Sequence, residues 1–308
     1  MHFGHRVIST TLFLCLSMAC AVPTVSAQDS STYYTVMHPD EFEIDWGKFY
    51  DTMNERTAAV RQEFPHHLDL AYGDDPKQKL DLYLPAGDVS GAPVFLFLHG
   101  GGFREGDRAH YGAVAEPFVR QGIITAVASY RLTGDGFHYP DQPTDAKKAI
   151  KWLYENIQKY GGDPESLYVG GHSAGAILSA DIGVDRKWMW AAGIPRHALK
   201  GIALISGPYD MRQQGRPGEQ YSYAPTAELR EQASPILHVG DPAPAAVVAV
   251  GSTEKYVTST EELTEKLNAA GSAAQYVLLD GEDHKDTALS LANPDSALFQ
   301  AVLRMIRQ

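Results

Sequence analysis

The stretch Gly171-His172-Ser173-Ala174-Gly175 constrains this chain more than any other. It follows a short apolar run, Leu167-Tyr168-Val169, and opens a segment of helical character over 174–184. At such a strand-to-helix turn the serine is forced into a strained backbone conformation. Strand and helix nearly touch there, so its neighbours must be small. Gly171, Ala174 and Gly175 meet that need. The turn lifts the Ser173 hydroxyl clear of the sheet and aims a helix N-terminus at it, which favours a developing negative charge. The plain alternative is a glycine-rich turn with no chemistry, and the rest of the chain must decide between the two.

The first residues read as a leader. Arg6 is the only Lys or Arg before residue 48, an apolar run over 7–22 follows it, and Val25-Ser26-Ala27 offers small residues for cleavage before Gln28. The run is short of the ~20 residues that a spanning helix needs, so residues 1–27 are expected to be a signal peptide and the product periplasmic or secreted. Both cysteines, Cys15 and Cys20, lie in that leader. The remainder has no disulfide framework, thiolate nucleophile or Cys-held metal and must be held by its core alone. No later apolar run is long enough to span a bilayer. The formal net charge of −12 argues against nucleic acid or anionic membrane surfaces as partners. Nothing in the sequence specifies an assembly.

Residues 28–64 are polar and then amphipathic, with a helix expected over 52–64; they read either as an arm packed on the domain or as a cap over a site. From residue 65 to 308 one domain is expected. Alternation over 67–72 and 79–84 around Gly73-Asp74-Asp75-Pro76 signals a hairpin. The continuous apolar run Val94-Phe95-Leu96-Phe97-Leu98 suits a strand buried on both faces of a parallel sheet. Further strands are expected over 123–128, 201–205, 245–250 and 275–279, and helices over 143–160, 259–270 and 294–306. Strands alternating with helices imply an α/β fold, its mostly parallel sheet covered on both faces. Two irregular stretches, the aromatic 188–197 and the Gly/Gln/Tyr/Pro-rich 211–234, are candidates for the substrate pocket or for mere surface excursions.

Three further features turn the serine into a chemical hypothesis. His99-Gly100-Gly101-Gly102-Phe103 directly follows the buried strand, and consecutive glycines let backbone amides approach a ligand closely. This arrangement serves lipases and esterases as an oxyanion hole, which here assigns the amides of Gly101, Gly102 and Ala174. No Gly-Lys-Ser/Thr follows and no G-x-G-x-x-G is present, so a nucleotide loop is disfavoured. A serine hydroxyl needs a base. His284 is the only histidine after His238 and falls on an expected loop just past the last strand, at the same sheet edge as Ser173. His172 is expected to point away from the site. The acid should follow the strand over 245–250, where Glu254 is the first carboxylate; its rival role is an exposed partner of Lys255.

Ser129-Tyr130-Arg131-Leu132, Pro140-x-x-Pro143-x-Asp145 and Gly161-Gly162-Asp163-Pro164 lie in order between the glycine loop and Ser173. Together these motifs resemble the α/β-hydrolase fold, and within it the hormone-sensitive-lipase-like carboxylesterases. Ser206-Gly207-Pro208-Tyr209-Asp210 and Ser234-Pro235 resemble the aryl-formamidase-like branch. The resemblance covers 67–308. It implies Ser173, Glu254 and His284 as a triad, with no metal or organic cofactor. Two departures stand out: Glu254 where the family usually has aspartate, and Lys285 after His284 where lipase-like members tend to be apolar. The second disfavours a long-chain lipase. The expected function is therefore hydrolysis of small carboxylic esters, with an aryl formamide or other amide as the alternative bond and a non-catalytic binding protein as a remote third.

Overall fold

In the computed structural model the described residues are Met1, 46–214 and 222–308. The expected leader, the first part of the arm and the middle of the 211–234 stretch lie outside them. The chain opens with helix α1 (Trp46–Glu63), whose buried Phe49, Met53, Thr57 and Val60 form one stripe at helical spacing. The helix starts earlier than the sequence predicts, because Gly47 and its aromatic neighbours carry weak helix preference and tertiary packing overrides it.

Strands β1 (His66–Ala71) and β2 (Lys79–Tyr83) form the expected hairpin, followed by β3 (Ala92–Leu98), α2 (Ala115–Val119) and β4 (Ile124–Ala128). Next come α3 (Asp141–Asn156), β5 (Gly162–His172), α4 (Ala174–Val184), α5 (Lys187–Ala191), β6 (Leu199–Ile205) and α6 (Ala227–Gln232). The chain closes with β7 (Ala245–Gly251), α7 (Val257–Ala269), β8 (Ala274–Leu279), α8 (His284–Leu291) and α9 (Ala297–Ile306). α3 is shorter than expected. It passes into a 3₁₀ turn over Ile157–Tyr160 and stops at Gly161, whose φ of 87° is left-handed. α8 was not expected: Asp283 and Asp286 form a reciprocal capping box that starts a helix at His284 where the sequence reads as loop.

The eight strands form one sheet in the order β1-β2-β4-β3-β5-β6-β7-β8. β2 is antiparallel to β1 and β4; every later pairing is parallel. Along β3, Val94, Leu96 and Leu98 join a core layer with α3, α4 and α7. Phe95 and Phe97 join the opposite layer, with α1, α2, α8 and α9. The period of two thus divides one continuous apolar run between two cores.

The motif around Arg131 and Asp145 serves as a brace. Asp145 is fully buried and accepts from Arg131 Nε (2.8 Å), Nη2 (2.7 Å) and N (3.0 Å), and from Gln78 Nε2 (2.6 Å). Beside it the Tyr130 hydroxyl donates to the His99 carbonyl at 2.8 Å, so the end of β4 holds the start of the glycine loop. Asp145→Ala would leave the buried Gln78 amide without its acceptor and the Arg131 guanidinium with Asp141 alone. It is expected to destabilise the fold by about 3–5 kcal/mol, read from the urea midpoint; a loss below ~1 kcal/mol, the level of a surface ion pair, would show that the brace is not needed.

Candidate active site

Ser173 sits between β5 and α4 with φ 55° and ψ −117°, a conformation that non-glycine residues rarely adopt. Its N–H donates to the Ile205 carbonyl at 2.8 Å, tying the turn to β6. The flanking glycines are obligatory. A Cβ on Gly171 would lie 2.4 Å from the Gly175 backbone, and one on Gly175 would lie 1.9 Å from the Leu98 carbonyl oxygen.

Leu98 ends β3, and the glycine loop begins at the next residue. Gly101 (φ 116°) and Gly102 (φ 60°) curl that loop over the site. Both line the same pocket as Ser173, and among the described residues neither N–H has a hydrogen-bond acceptor. Ala174 is the first residue of α4, where a backbone N–H has no acceptor within the helix. His99 anchors the loop. It is fully buried, stacked on Tyr130 at 4.4 Å, with Nδ1 2.7 Å from the Gly100 carbonyl. That carbonyl can only accept, so Nδ1 carries a proton. Burial lowers the pKa of His99 to about 4, so the ring is neutral at pH 7.

His284 opens α8 rather than lying on a loop. Its Nδ1 donates to Glu254 Oε2 at 2.5 Å. Nε2 is thereby left as the basic nitrogen. Glu254 is buried, not paired with Lys255 at the surface. Its Oε1 accepts from the Gly251 N–H at 2.9 Å and the Ser206 hydroxyl at 2.6 Å. A buried carboxylate with three donors is satisfied as an anion. Ser206, itself at φ 54°, holds the acid in place. Nothing in the sequence marks that role beyond its place in the Ser206-to-Asp210 motif.

The structure therefore brings Ser173, His284 and Glu254 to one sheet edge. Ser173 and His284 share a pocket of about 580 Å³. Among the described residues the Ser173 hydroxyl makes no hydrogen bond, and such serine–imidazole bonds often tighten only when a substrate seats.

The pocket walls differ from expectation. None of the described residues over 188–234 lines it. Met189 is in the core, the Trp188 indole donates to the Ile182 carbonyl at 3.2 Å, and Trp190 stands 88% exposed. Instead α1 supplies Trp46 and Tyr50, which line the pocket together with Tyr111, Arg104, Glu105 and Gly134. The Trp46 ring lies edge-on to His284 at 6.4 Å. The described part of the arm is thus a wall of the site. His172 also departs from expectation: it lines the pocket, its ring 4.5 Å from that of His284. No cluster of three or more potential metal ligands occurs among the described residues.

The BD-FAE family model matches residues 80–267. Esterase LipC of Mycobacterium tuberculosis is 29% identical over 273 residues, which cover 81% of this chain and 67% of that protein. Isoprenylcysteine alpha-carbonyl methylesterase ICME of Arabidopsis thaliana is 28% identical over 77% of this chain and 61% of its own length. The chain thus spans about two thirds of the first relative and less of the second. Kynurenine formamidase of Danio rerio is 26% identical over 82% of this chain and 85% of its own. Among solved structures, inhibited esterase B from Lactobacillus rhamnosis aligns with a TM-score of 0.70 at 18% identity, over 87% of this chain and 95% of that one. The fold is the α/β-hydrolase fold.

Gly175→Ala tests the turn geometry. With no room for the added methyl group, the variant is expected to lose about 3 kcal/mol of stability together with any activity at Ser173. Gly240→Ala, in open space, should melt as the parent does. Equal melting temperatures for both variants would refute the close approach.

Proposed function

The chain belongs to the BD-FAE family, and we propose that it is a serine carboxylesterase acting on small carboxylic esters. The observation that carries the reading is the His284 Nδ1–Glu254 Oε2 bond, which orients an imidazole lining the pocket that also holds Ser173 and the glycine loop. In this reading Ser173 Oγ attacks the acyl carbonyl while His284 Nε2 takes its proton. Glu254 keeps the imidazole in the productive tautomer and stabilises its charged form. The N–H groups of Gly101, Gly102 and Ala174 receive the oxyanion, aided by the N-terminus of α4. His284 then protonates the leaving alcohol. Water, deprotonated by the same imidazole, releases the acid from the Ser173 ester. No metal or organic cofactor enters this scheme. Esterase relatives over most of the chain support it.

A second reading keeps the machinery and changes the bond to an aryl formamide, which the formamidase relative favours. Relative rates on a nitrophenyl acetate and an N-formyl aniline separate the two. The proposal extends to export: residues 1–27 are removed, so the mature N-terminus determined by Edman degradation should be Gln28.

A fluorophosphonate is expected to label Ser173 and nothing else. Ser173→Ala should abolish labelling and lower ester turnover by roughly 10⁴-fold or more. Glu254→Gln, which disturbs the tautomer but not the shape, should lower kcat by about 10³- to 10⁴-fold. Ester turnover by the Ser173→Ala protein at the parental rate would remove the mechanism.

A further inference from the structure

His172 is the last residue of β5, directly before Ser173, and its contacts differ from those of an ordinary core histidine. The side chain is 3% exposed. Nε2 lies 2.8 Å from the backbone carbonyl oxygen of His284. A carbonyl only accepts, so Nε2 carries the proton and Nδ1 is bare. Nδ1 faces the glycine loop, for a Cβ built on Gly100 would stand 3.0 Å from it. Burial and the neighbouring His284 hold His172 well below the usual imidazole range, so the ring stays neutral. The residue therefore touches three parts of the site at once: it is covalently next to Ser173, it is bonded to the backbone of His284, and it abuts the glycine loop.

The bond to His284 closes a gap of 112 residues. The imidazole of His284 is fixed at its far end by Glu254, but that bond leaves the ring free to tilt about the Nδ1–carboxylate axis. A second restraint, on the backbone of the same residue, fixes the point from which the side chain extends and so narrows that freedom. Thr287 Oγ1 also donates to the His284 carbonyl, at 3.1 Å, and lies 2.9 Å from Ser206 Oγ, a link toward β6 on the other side. Among the described residues, His172 is the side chain that ties this carbonyl to β5. We propose that His172 is a positioning residue, whose Nε2–H bond to the His284 carbonyl sets the distance and angle between the Ser173 hydroxyl and the imidazole. It moves no proton and touches no reacting atom. Its neutrality also matters: when His284 becomes charged during turnover, a cation 4.5 Å away would oppose it.

The inference rests on the hydrolase reading, and the experiment keeps the two apart. His172→Phe retains a ring and loses the donor. His172→Gln places an amide N–H near the position of Nε2, whereas in His172→Asn the amide falls one bond short. With a nitrophenyl ester, Phe and Asn variants are expected to lower kcat by about 10- to 100-fold with KM within ~2-fold, since small misplacements of a base have effects of this size. Fluorophosphonate labelling of Ser173 should slow by the same factor. The Gln variant should recover most of the loss in both measurements. If the Phe variant does not fold, the Gln–Asn pair decides the matter. Equal kcat in the Gln and Asn variants, or parental kcat in the Phe variant, would overturn the positioning role. If the Ser173→Ala protein turned over ester as the parent does, the hydrolase reading would fail instead.

Discussion

The contact between Gly175 and the Leu98 carbonyl is the constraint from which the site follows. At that crossing the first turn of α4 presses on the end of β3 with no space for a single methyl group. This approach has two consequences. The turn between β5 and α4 becomes too tight for ordinary backbone angles, and Ser173 is pushed to φ 55°. Strain of this kind costs about 1–3 kcal/mol and persists only where the surroundings over-determine it. The same contact brings the residues after Leu98, the glycine loop, against the residues around Ser173. One backbone approach thus locates both Ser173 and the amides of Gly101 and Gly102 that line the same pocket.

The parallel register does the rest. Leu98 lies level with Gly171, Gly171 with Leu204, Ile205 with Ala249, and Gly251 with Leu279. These strands therefore end at one edge. The residues of the candidate site sit just past those ends: His99, Ser173, Ser206, Glu254 and His284. In an open parallel sheet, the crevice beyond the strand C-termini is where loops from distant segments can meet. Sequence separations of more than a hundred residues collapse there because each strand has the same direction and nearly the same end point.

This geometry explains what was legible in the sequence. Ser173 was readable because its turn is a local pattern of small residues. His284 and Glu254 were readable because a parallel sheet turns strand order into spatial order. Whatever depended on packing between distant elements was not. The aromatic run 188–190 gave no sign of which side it would face, and α5 turns Met189 into the core and Trp190 to solvent. Trp46 and Tyr50 reach the pocket from a helix whose first turn looked unhelical. His172 does not point away from the site, because period-two alternation puts it on the face of Tyr168, which packs with α8 and α9. That face is where His284 arrives. Helix α8 escapes apolar periodicity because it starts at a capping box, in which each aspartate carboxylate accepts from the other's backbone N–H.

The glutamate at position 254 has a physical reason in the same terms. β7 ends at Gly251, so the acid is carried beyond the edge and must reach back. From there its carboxylate takes the Gly251 N–H on one oxygen and the imidazole on the other. Both oxygens are engaged, and Ser206 supplies a further donor. An aspartate at this position would have one methylene less. It could keep the backbone N–H or the imidazole without moving the chain, but hardly both. An unsatisfied carboxylate in such a buried place costs several kcal/mol. The longer side chain and the loop that carries it are therefore one solution, in which the Ser206 and Gly251 donors fix the carboxylate before the imidazole is added.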